Sequence, residues 1–474
     1  RDAKRGTTPR RFPFFYFFLF IFCGLCPSSL LHAATKIYLR DIVSSINTGA
    51  DDERKLLRFS GATTTTTVKD TIAGPVTPPT AETLFTTQSG GTNIIWYSYP
   101  IEAVTISGDV TFNIWAAESA TQANATVTAE LLRSDNAGAI QSVIASVVLD
   151  RTELTTTLAA QNWVKAPTST AMSNGDRLAL RIYIDDGATV TMAAANRTVS
   201  VTLNGGTVDA SGDSWAQVGE TLAPARPVPS GITEVLERKI TAGWNLVDDA
   251  TGYTLAASLG SANPPSISAS SETQNTSATV SEPALGPNTT YYLFARTNGS
   301  GASSSWSTYP GTSTLANAPV FKDFTDVTVS TIQFNWTANS NPAGTLYRVK
   351  SSTAPDPLSP AGAVVTSSDT YNLYLSSAGL NANTTYYFRV AAVNHNNIIT
   401  AYTASQGTST LANAPVFTDF TNVTAAAIQF NWSANGNPAG TLYRVKASTA
   451  PDPLSPAGAV VTSSDTYNLY LSSA

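Results

Sequence analysis

Nucleophiles, bases, metal ligands and paired acids are the residues that could do chemistry, and this 474-residue chain holds few at useful spacing. Cys23 and Cys26 form a C-x-x-C, a spacing suited to redox or metal work. Both lie inside an apolar N-terminal run that reads as an export leader. The two histidines are His32, in that same leader, and His395, which follows Asn394 in a polar, loop-like stretch. A nucleophilic triad needs a base, usually histidine, and zinc sites need His or Cys. The chain past the leader has no cysteine and one solvated histidine, so both chemistries are excluded. Glycoside hydrolysis needs only two carboxylates. Glu102, Glu118, Glu130 and Glu153 are isolated, however, and Asp185-Asp186 reads as a turn closing a strand. No catalytic residue and no metal ligand is therefore assigned. Asp51, Asp52 and Glu53, or Asp185 and Asp186, supply hard oxygens that would suit a structural calcium. No D-x-D-x-[DN]-G spacing accompanies them, and no cofactor is expected otherwise.

The aromatic residues carry the sharper option. Trp96, Tyr97 and Tyr99 cluster in IIWYSYP, with Trp115 and Trp163 further on. Exposed aromatic rings stack on sugar rings, whereas buried ones simply fill a core. On a strand, Trp96 and Tyr97 point to opposite faces, which would leave one outward. Trp96 and Trp163 are the candidate glycan-binding residues, with core or rim packing as the alternative. Asn-x-Ser/Thr triplets occur at Asn124, Asn288 and Asn383, as a Thr- and Ser-rich chain produces by chance.

The elements that must position these residues are strands. Charged residues make up 13% of the chain and aromatics 9%, so it can build cores without being a solvated tail. Thr, Val and Tyr favour pleated, half-buried surfaces. The net charge is -6 and there is no basic stripe, which argues against a nucleic-acid partner. From residue 36 to 222, apolar-polar alternation recurs at Val104-x-Ile106, Val110-x-Phe112-x-Ile114, Val127-x-Ala129-x-Leu131, Leu178-x-Leu180-x-Ile182 and Val199-x-Val201-x-Leu203. Glycine-, Asn- and Asp-bearing turns separate these runs, so this region is expected to be a jelly-roll-like β-sandwich. PARPVPSG (Pro224–Gly231) then reads as stiff, with nothing in it that needs a core, and sets a linker at residues 223–229.

Self-comparison decides the architecture of the rest. Asn317–Ala378 and Asn413–Ala474 align without gaps at a spacing of 96 and match at 54 of 62 positions. The twelve letters SSDTYNLYLSSA occur at Ser367–Ala378 and again at Ser463–Ala474. This period is a whole small domain, beyond the ~20–50 residues of a solenoid unit. Within the unit, Ile332, Phe334 and Trp336 alternate with polar residues. NSNPAG marks a turn, Tyr347 and Val349 a second strand, and Tyr386, Phe388 and Val390 another.

LNANTTYYFRVAAVN (Leu380–Asn394) resembles the L-x-P-x-T-x-Y-x-F-x-V-x-A-x-N stretch of fibronectin type III domains, with Ala382 in place of the proline. Trp336 falls where that family has its core tryptophan, and Tyr386 at its tyrosine corner. A diverged copy, ALGPNTTYYLFARTN (Ala284–Asn298), carries Leu285, Pro287, Thr289 and Tyr291 in the same frame. Trp244 and Tyr253 stand where Trp336 and Tyr347 do. The resemblance covers about half the chain. It implies an all-β fold of tandem Ig-like sandwiches, with modules at 230–314, 315–410 and 411–474, the last incomplete. It also implies structural core roles for Trp244, Tyr291, Trp336, Tyr386 and Trp432. No RGD tripeptide occurs.

Residues 1–34 read as a signal peptide. Lys4, Arg5, Arg10 and Arg11 precede the apolar run Phe12–Cys26, which is too short to span a bilayer. The mature chain would have no membrane span and would be secreted or held at the cell surface. The expected function is a non-catalytic structural or adhesive protein of the bacterial, secreted type, its modules acting as spacers toward an extracellular protein or polysaccharide. Two alternatives are a glycan-binding accessory protein and the non-catalytic part of a larger extracellular hydrolase. The repeat pattern predicts that the chain continues beyond Ala474 with a sequence close to GLNANTTYYFRV.

Overall fold

The computed structural model describes residues 34–44, 46, 53–57, 71–75, 83–84, 95–118, 126–148, 154–185, 198–202, 213–248, 250–299, 302–358, 364–449, 454 and 460–473. Every regular element among them is a strand.

The N-terminal domain contains β1 (Thr35–Val43), β2 (Glu53–Leu57), β3 (Thr71–Pro75), β4 (Thr83–Leu84), β5 (Ile95–Ser98), β6 (Val104–Ile106) and β7 (Val110–Glu118). It continues with β8 (Thr126–Ser134), β9 (Ile140–Val148), β10 (Ala159–Lys165), β11 (Thr170–Met172), β12 (Arg177–Asp185), β13 (Thr198–Thr202) and β14 (Trp215–Val218). Twelve of these strands hydrogen-bond into one continuous sheet, ordered β3-β13-β7-β14-β1-β2-β5-β12-β8-β9, with β10 on β7 and β4 on β12. The remaining two, β6 and β11, form a separate hairpin-like pair. All the pairings are antiparallel except β2 with β5. One apolar cluster gathers Ile37 and Leu39 from β1, Trp96 from β5, Phe112 and Ile114 from β7, Ile144 from β9 and Leu178 and Leu180 from β12. Residues so far apart in strand order can share a core only if the sheet folds over it, so the two layers of this sandwich belong to a single sheet. Alternation along β12 sends Leu178, Leu180 and Ile182 into that core. Ala179, on the other face, packs with Ile46, Tyr97 and Leu132 in a second, smaller cluster.

The first module is built from β15 (Pro229–Leu236), β16 (Lys239–Trp244), β17 (Gly252–Ser258), β18 (Ala269–Thr273), β19 (Ser277–Ser281), β20 (Thr290–Asn298), β21 (Ser307–Thr308) and β22 (Thr312–Ser313). One sheet runs β15-β16-β19; the other runs β18-β17-β20, with β21 and β22 both on β20. The second module has β23 (Val320–Thr325), β24 (Thr331–Thr337), β25 (Leu346–Ser352), β26 (Val364–Thr370), β27 (Tyr374–Ala378), β28 (Thr385–Val393) and β29 (Gln406–Ser409). Its sheets are β23-β24-β27 and β26-β25-β28-β29, seven strands in a three-on-four sandwich. Alternation explains the packing. Ile332, Phe334 and Trp336 point inward from β24, to meet Tyr347 and Val349 from β25 and Phe388 and Val390 from β28. Phe334 lies 5.3 Å from Phe388, stacked, and Trp336 meets Tyr347 edge-on at 5.6 Å. A core tryptophan of this kind contributes about 3–5 kcal/mol when compared with alanine.

Residues 411–474 repeat that plan with β30 (Val416–Thr421), β31 (Ile428–Ser433), β32 (Tyr443–Ser448), β33 (Val460–Thr466) and β34 (Tyr470–Ser473). The sheet β30-β31-β34 matches β23-β24-β27, and β32-β33 matches β25-β26. Trp432 meets Tyr443 at 5.6 Å, the same edge-on contact. A cleft of about 610 Å³ is lined by Phe430, Trp432, Tyr443 and Val445 among others. Phe321 and Phe324 pack against the core of the second module.

Candidate functional site

The aromatic residues read as a glycan-binding face do not form one. Trp96 is 0% exposed and Tyr97 is 3% exposed. The two side chains do point to opposite faces, but β5 lies mid-sheet and both of those faces are covered. Trp96 enters the main core and Tyr97 enters the smaller cluster, where its hydroxyl donates to Gly138 O at 3.0 Å. Trp163 is half-buried and packs against the main core from β10, cross-strand from Phe112. Trp96 therefore has no free ring face, and Trp163 stands alone on its strand.

Of the isolated acids, Glu102 and Glu130 make structural pairs, and Glu153 lies outside the described residues. Glu130 receives both Nε and Nη2 of Arg181, and Glu102 pairs with Arg226 at 3.4 Å. Among the described residues no group of three or more His, Cys, Asp or Glu could hold a metal. Cys23, Cys26, His32, Asn124, Asp51, Asp52 and Asp186 lie outside the described residues, as does the expected signal peptide up to residue 33.

The polar side chains that the fold brings together sit at the junctions between domains. Residues 223–229, read as a stiff linker with nothing that needs a core, are bonded on both sides. Ala225 is buried, and its N–H donates to Pro100 O at 2.9 Å. Glu102 N–H donates to Ala223 O at 2.9 Å, and Asn174 exchanges two bonds with the Arg226 backbone. Ser307 Oγ donates to Pro227 O from the module side. Arg177, buried at the start of β12, completes the joint. Its guanidinium donates to Ser98 O at 2.9 Å, to Asn136 O at 3.2 Å and to Asp248 of the first module at 3.0 Å. Glu102 also accepts from both the backbone N–H and the hydroxyl of Ser305.

The next junction is built from neutral groups. Asn288 sits just before β20 at φ 44°, a left-handed conformation that Asn tolerates. Its side chain is fully buried, with Nδ2 donating to Thr345 Oγ1 of the second module at 2.9 Å. The Thr345 hydroxyl passes its own proton to Pro342 O at 2.7 Å, so the chain of donors is ordered. His395 N–H of the second module donates to Asn288 Oδ1 at 3.0 Å, and Asn394 Nδ2 donates to Thr314 O at 3.2 Å. The turn NSNPAG presents Thr345. Gly344 at φ 85° closes the turn, and Asn341 staples it to Asn317 through two bonds. The third module repeats the latch. Asn383, at φ 45°, donates to Thr441 Oγ1 at 2.9 Å, and Thr441 donates to Pro438 O at 2.7 Å.

Burial governs the titration of the module tyrosines. Tyr309 is pushed up to about 12 by burial, its hydroxyl donating to Gly243 O at 2.7 Å. Burial also raises Tyr253 and Tyr347. Arg348 lowers Asp369 through paired hydrogen bonds at 2.8 Å.

The feature that the first two modules share is local. In the first module Tyr291 Oη accepts the N–H of Gly286, five residues back, at 2.9 Å. In the second, Tyr386 Oη accepts the N–H of Asn381 at 3.0 Å. Both rings are buried, and Trp244 and Trp336 are buried on the facing sheet. A tyrosine corner on a three-on-four sandwich with that tryptophan is specific. These modules are fibronectin type III-like. No family model and no curated protein matches the chain. Among solved structures it is similar to a two-domain fibronectin type III segment of chicken tenascin. That match has 18% identity and a TM-score of 0.29, covering 39% of this chain and 99% of the other. It is also similar to the FN1-FN3 domains of chicken CNTN1, at 14% identity and a TM-score of 0.20, covering 53% of this chain and 88% of the other. Among the described residues, no helix is long and apolar enough to cross a membrane.

Proposed function

We propose that the protein is a non-catalytic, secreted or cell-surface structural protein. Its fibronectin type III-like modules form a stiff spacer that carries the N-terminal sandwich and offers repeated surfaces to an extracellular partner. The observation that supports this reading is the Asn–Thr latch repeated from one module junction to the next. A chain that needed independent beads would have exposed, unbonded linkers. Here buried side chains are committed to the neighbouring module, and the Pro-rich segment is bonded on both flanks. Small-angle scattering of the full chain tests the reading. A profile that fits one rigid arrangement of the N-terminal domain and modules is expected. A profile that requires an ensemble of freely hinged domains would sink it.

A further inference from the structure

The SSDTYNLYLSSA segment recurs letter for letter, yet only part of it serves the core. Leu375 packs inward from β27, whereas Tyr371 is 68% exposed and Tyr374 is 45% exposed. Their counterparts Tyr467 and Tyr470 are 67% and 46% exposed. Large rings left in water at the same two places in successive modules are not explained by packing.

Beside Tyr374 lies an ordered row of hydroxyl and amide groups that ends on a carboxylate. Tyr374 is directly cross-strand from Asn335, and Ser376 from Gln333, so all four share the outward face of β24 and β27. Ser376 Oγ donates to Gln333 Oε1 at 3.0 Å, and Gln333 Nε2 donates to Asn335 Oδ1 at 2.9 Å. Asn335 Nδ2 donates to Asp323 at 2.8 Å and to Thr325 at 3.1 Å. The third module repeats the row through Ser472, Gln429, Asn431, Asp419 and Thr421. The first module lacks the tyrosine and the amides: Gly243 and Ser277 occupy the cross-strand position that Asn335 and Tyr374 hold, and the shorter Thr241 and Thr279 meet where Gln333 and Ser376 do.

We propose that this face of the second and third modules is a repeated binding site for a neutral polysaccharide. Tyrosine rings stack on the apolar faces of sugar rings, and fixed amides and hydroxyls pair with sugar hydroxyls. The charge pattern favours a neutral polymer over an acidic one. The row itself contains no cation and ends on a carboxylate, Asp323 in the second module and Asp419 in the third, which would repel an acidic chain; the cation beside it, Lys322, is paired with Asp323 at 4.0 Å. A polymer also matches the repetition, since two identical sites at a fixed separation are reached together only by a ligand that itself repeats. The single-site contact stands apart from the spacer reading; the gain from two sites depends on it.

Affinity electrophoresis of the full chain through gels containing xylan, hydroxyethylcellulose, galactomannan or polygalacturonate tests this. Retardation by at least one neutral polymer, and none by polygalacturonate, is expected. Replacing Tyr371 and Tyr374 by alanine should weaken binding about a hundredfold or more, as loss of one of two linked sites does. Adding Tyr467→Ala and Tyr470→Ala should abolish it. Gln333→Ala with Gln429→Ala, which leaves the tyrosines in place, should also weaken it. Circular dichroism of each variant should match the parent, because the replaced rings are exposed. No retardation in any neutral gel, retardation surviving the fourfold tyrosine variant, or retardation by polygalacturonate alone overturns the proposal. Self-association that disappears in the fourfold variant, without retardation of the parent, overturns it in favour of a second copy. The scattering profile is independent of all these outcomes, so failure here leaves the spacer reading to its own test.

Discussion

Asn288 and Thr345 belong to different modules, 57 residues apart, and meet through a 2.9 Å hydrogen bond whose donor side chain is fully buried. Asn383 and Thr441 repeat the contact at 2.9 Å. The left-handed backbone at each Asn aims its amide out of its own sandwich. The stapled NPAGT turn holds the receiving hydroxyl. Local turn chemistry in two modules thus sets the relation between them, and each junction uses the same parts.

Asn288→Ala should therefore act at a distance from any core. It leaves the His395 N–H without its acceptor and places alanine where φ is 44°. Loss of a buried hydrogen-bonding group costs about 1–3 kcal/mol. We expect a lower unfolding midpoint for the first two modules, and scattering that shows added hinge motion between them. Thr345→Val, which keeps the shape and removes the hydroxyl, should give part of the same effect. Unchanged scattering in both variants would mean the latch does not set the junction.

Arg177 makes the corresponding prediction for the N-terminal joint. Its buried guanidinium satisfies two carbonyls of its own domain and reaches Asp248 across the boundary. Arg177→Met removes the charge and strands those acceptors. Breaking a buried pair costs about 3–5 kcal/mol, and the partial exposure of Asp248 reduces this to roughly 2–3 kcal/mol. Asp248→Asn should cost less than Arg177→Met, because the two carbonyl bonds survive. Chemical denaturation with domain-resolved probes measures both. Equal losses would show that the Asp248 contact carries the joint.

The module fold was legible because its signals are short-range. Period-two alternation placed Ile332, Phe334 and Trp336 on one face, and the L-x-x-x-T-x-Y frame marked the tyrosine corner. The N-terminal domain was less legible. Alternation along IIWYSYP separates Trp96 from Tyr97, but it does not reveal that a second cluster covers the other face of β5. That cover comes from Ile46, Leu132 and Ala179, distant in sequence. The junction was missed for a related reason. Asn288-Thr289-Thr290 reads as a chance Asn-x-Thr triplet, and NSNPAG as a turn. Only their juxtaposition across two modules makes a latch. A signal was present, since NTT recurs at Asn383 and PAGT at Pro438–Thr441. Those repeats alone do not say which parts touch.

The tyrosine corners supply a test confined to single modules. Tyr386→Phe keeps the ring in the core and leaves the Asn381 N–H without its acceptor. Tyr291→Phe does the same to Gly286. Each should lose about 1–3 kcal/mol. Hydrogen exchange should rise first at Asn381 or Gly286, with the partner module unaffected. Loss of protection spread evenly over both modules would argue that the corner hydroxyl is not a local tie.

Tyr309 makes the alkaline prediction. It is buried in the first module, and its hydroxyl donates to Gly243 O at 2.7 Å. Ionisation would remove that donor and place an anion among apolar side chains, so burial lifts its pKa to about 12. The unfolded value is about 10. The folded state therefore favours the neutral phenol. Its contribution to stability is fully present below about pH 10 and is lost as pH rises toward about 12. A shift of this size corresponds to roughly 2–3 kcal/mol. Burial raises Tyr253 in the same module in the same direction, so its contribution has the same sign. The second module has Ser405 at the position of Tyr309, and burial raises its Tyr347 without a shift as large, so the greater part of the loss should fall on the first module. Tyr309→Phe should cost about 1–2 kcal/mol at neutral pH, because the Gly243 carbonyl loses its donor. It should also flatten the alkaline decline. Ultraviolet absorbance titration alongside circular dichroism checks both. A Tyr309 that ionises together with the exposed tyrosines, or a variant with the parent's alkaline midpoint, would contradict the account.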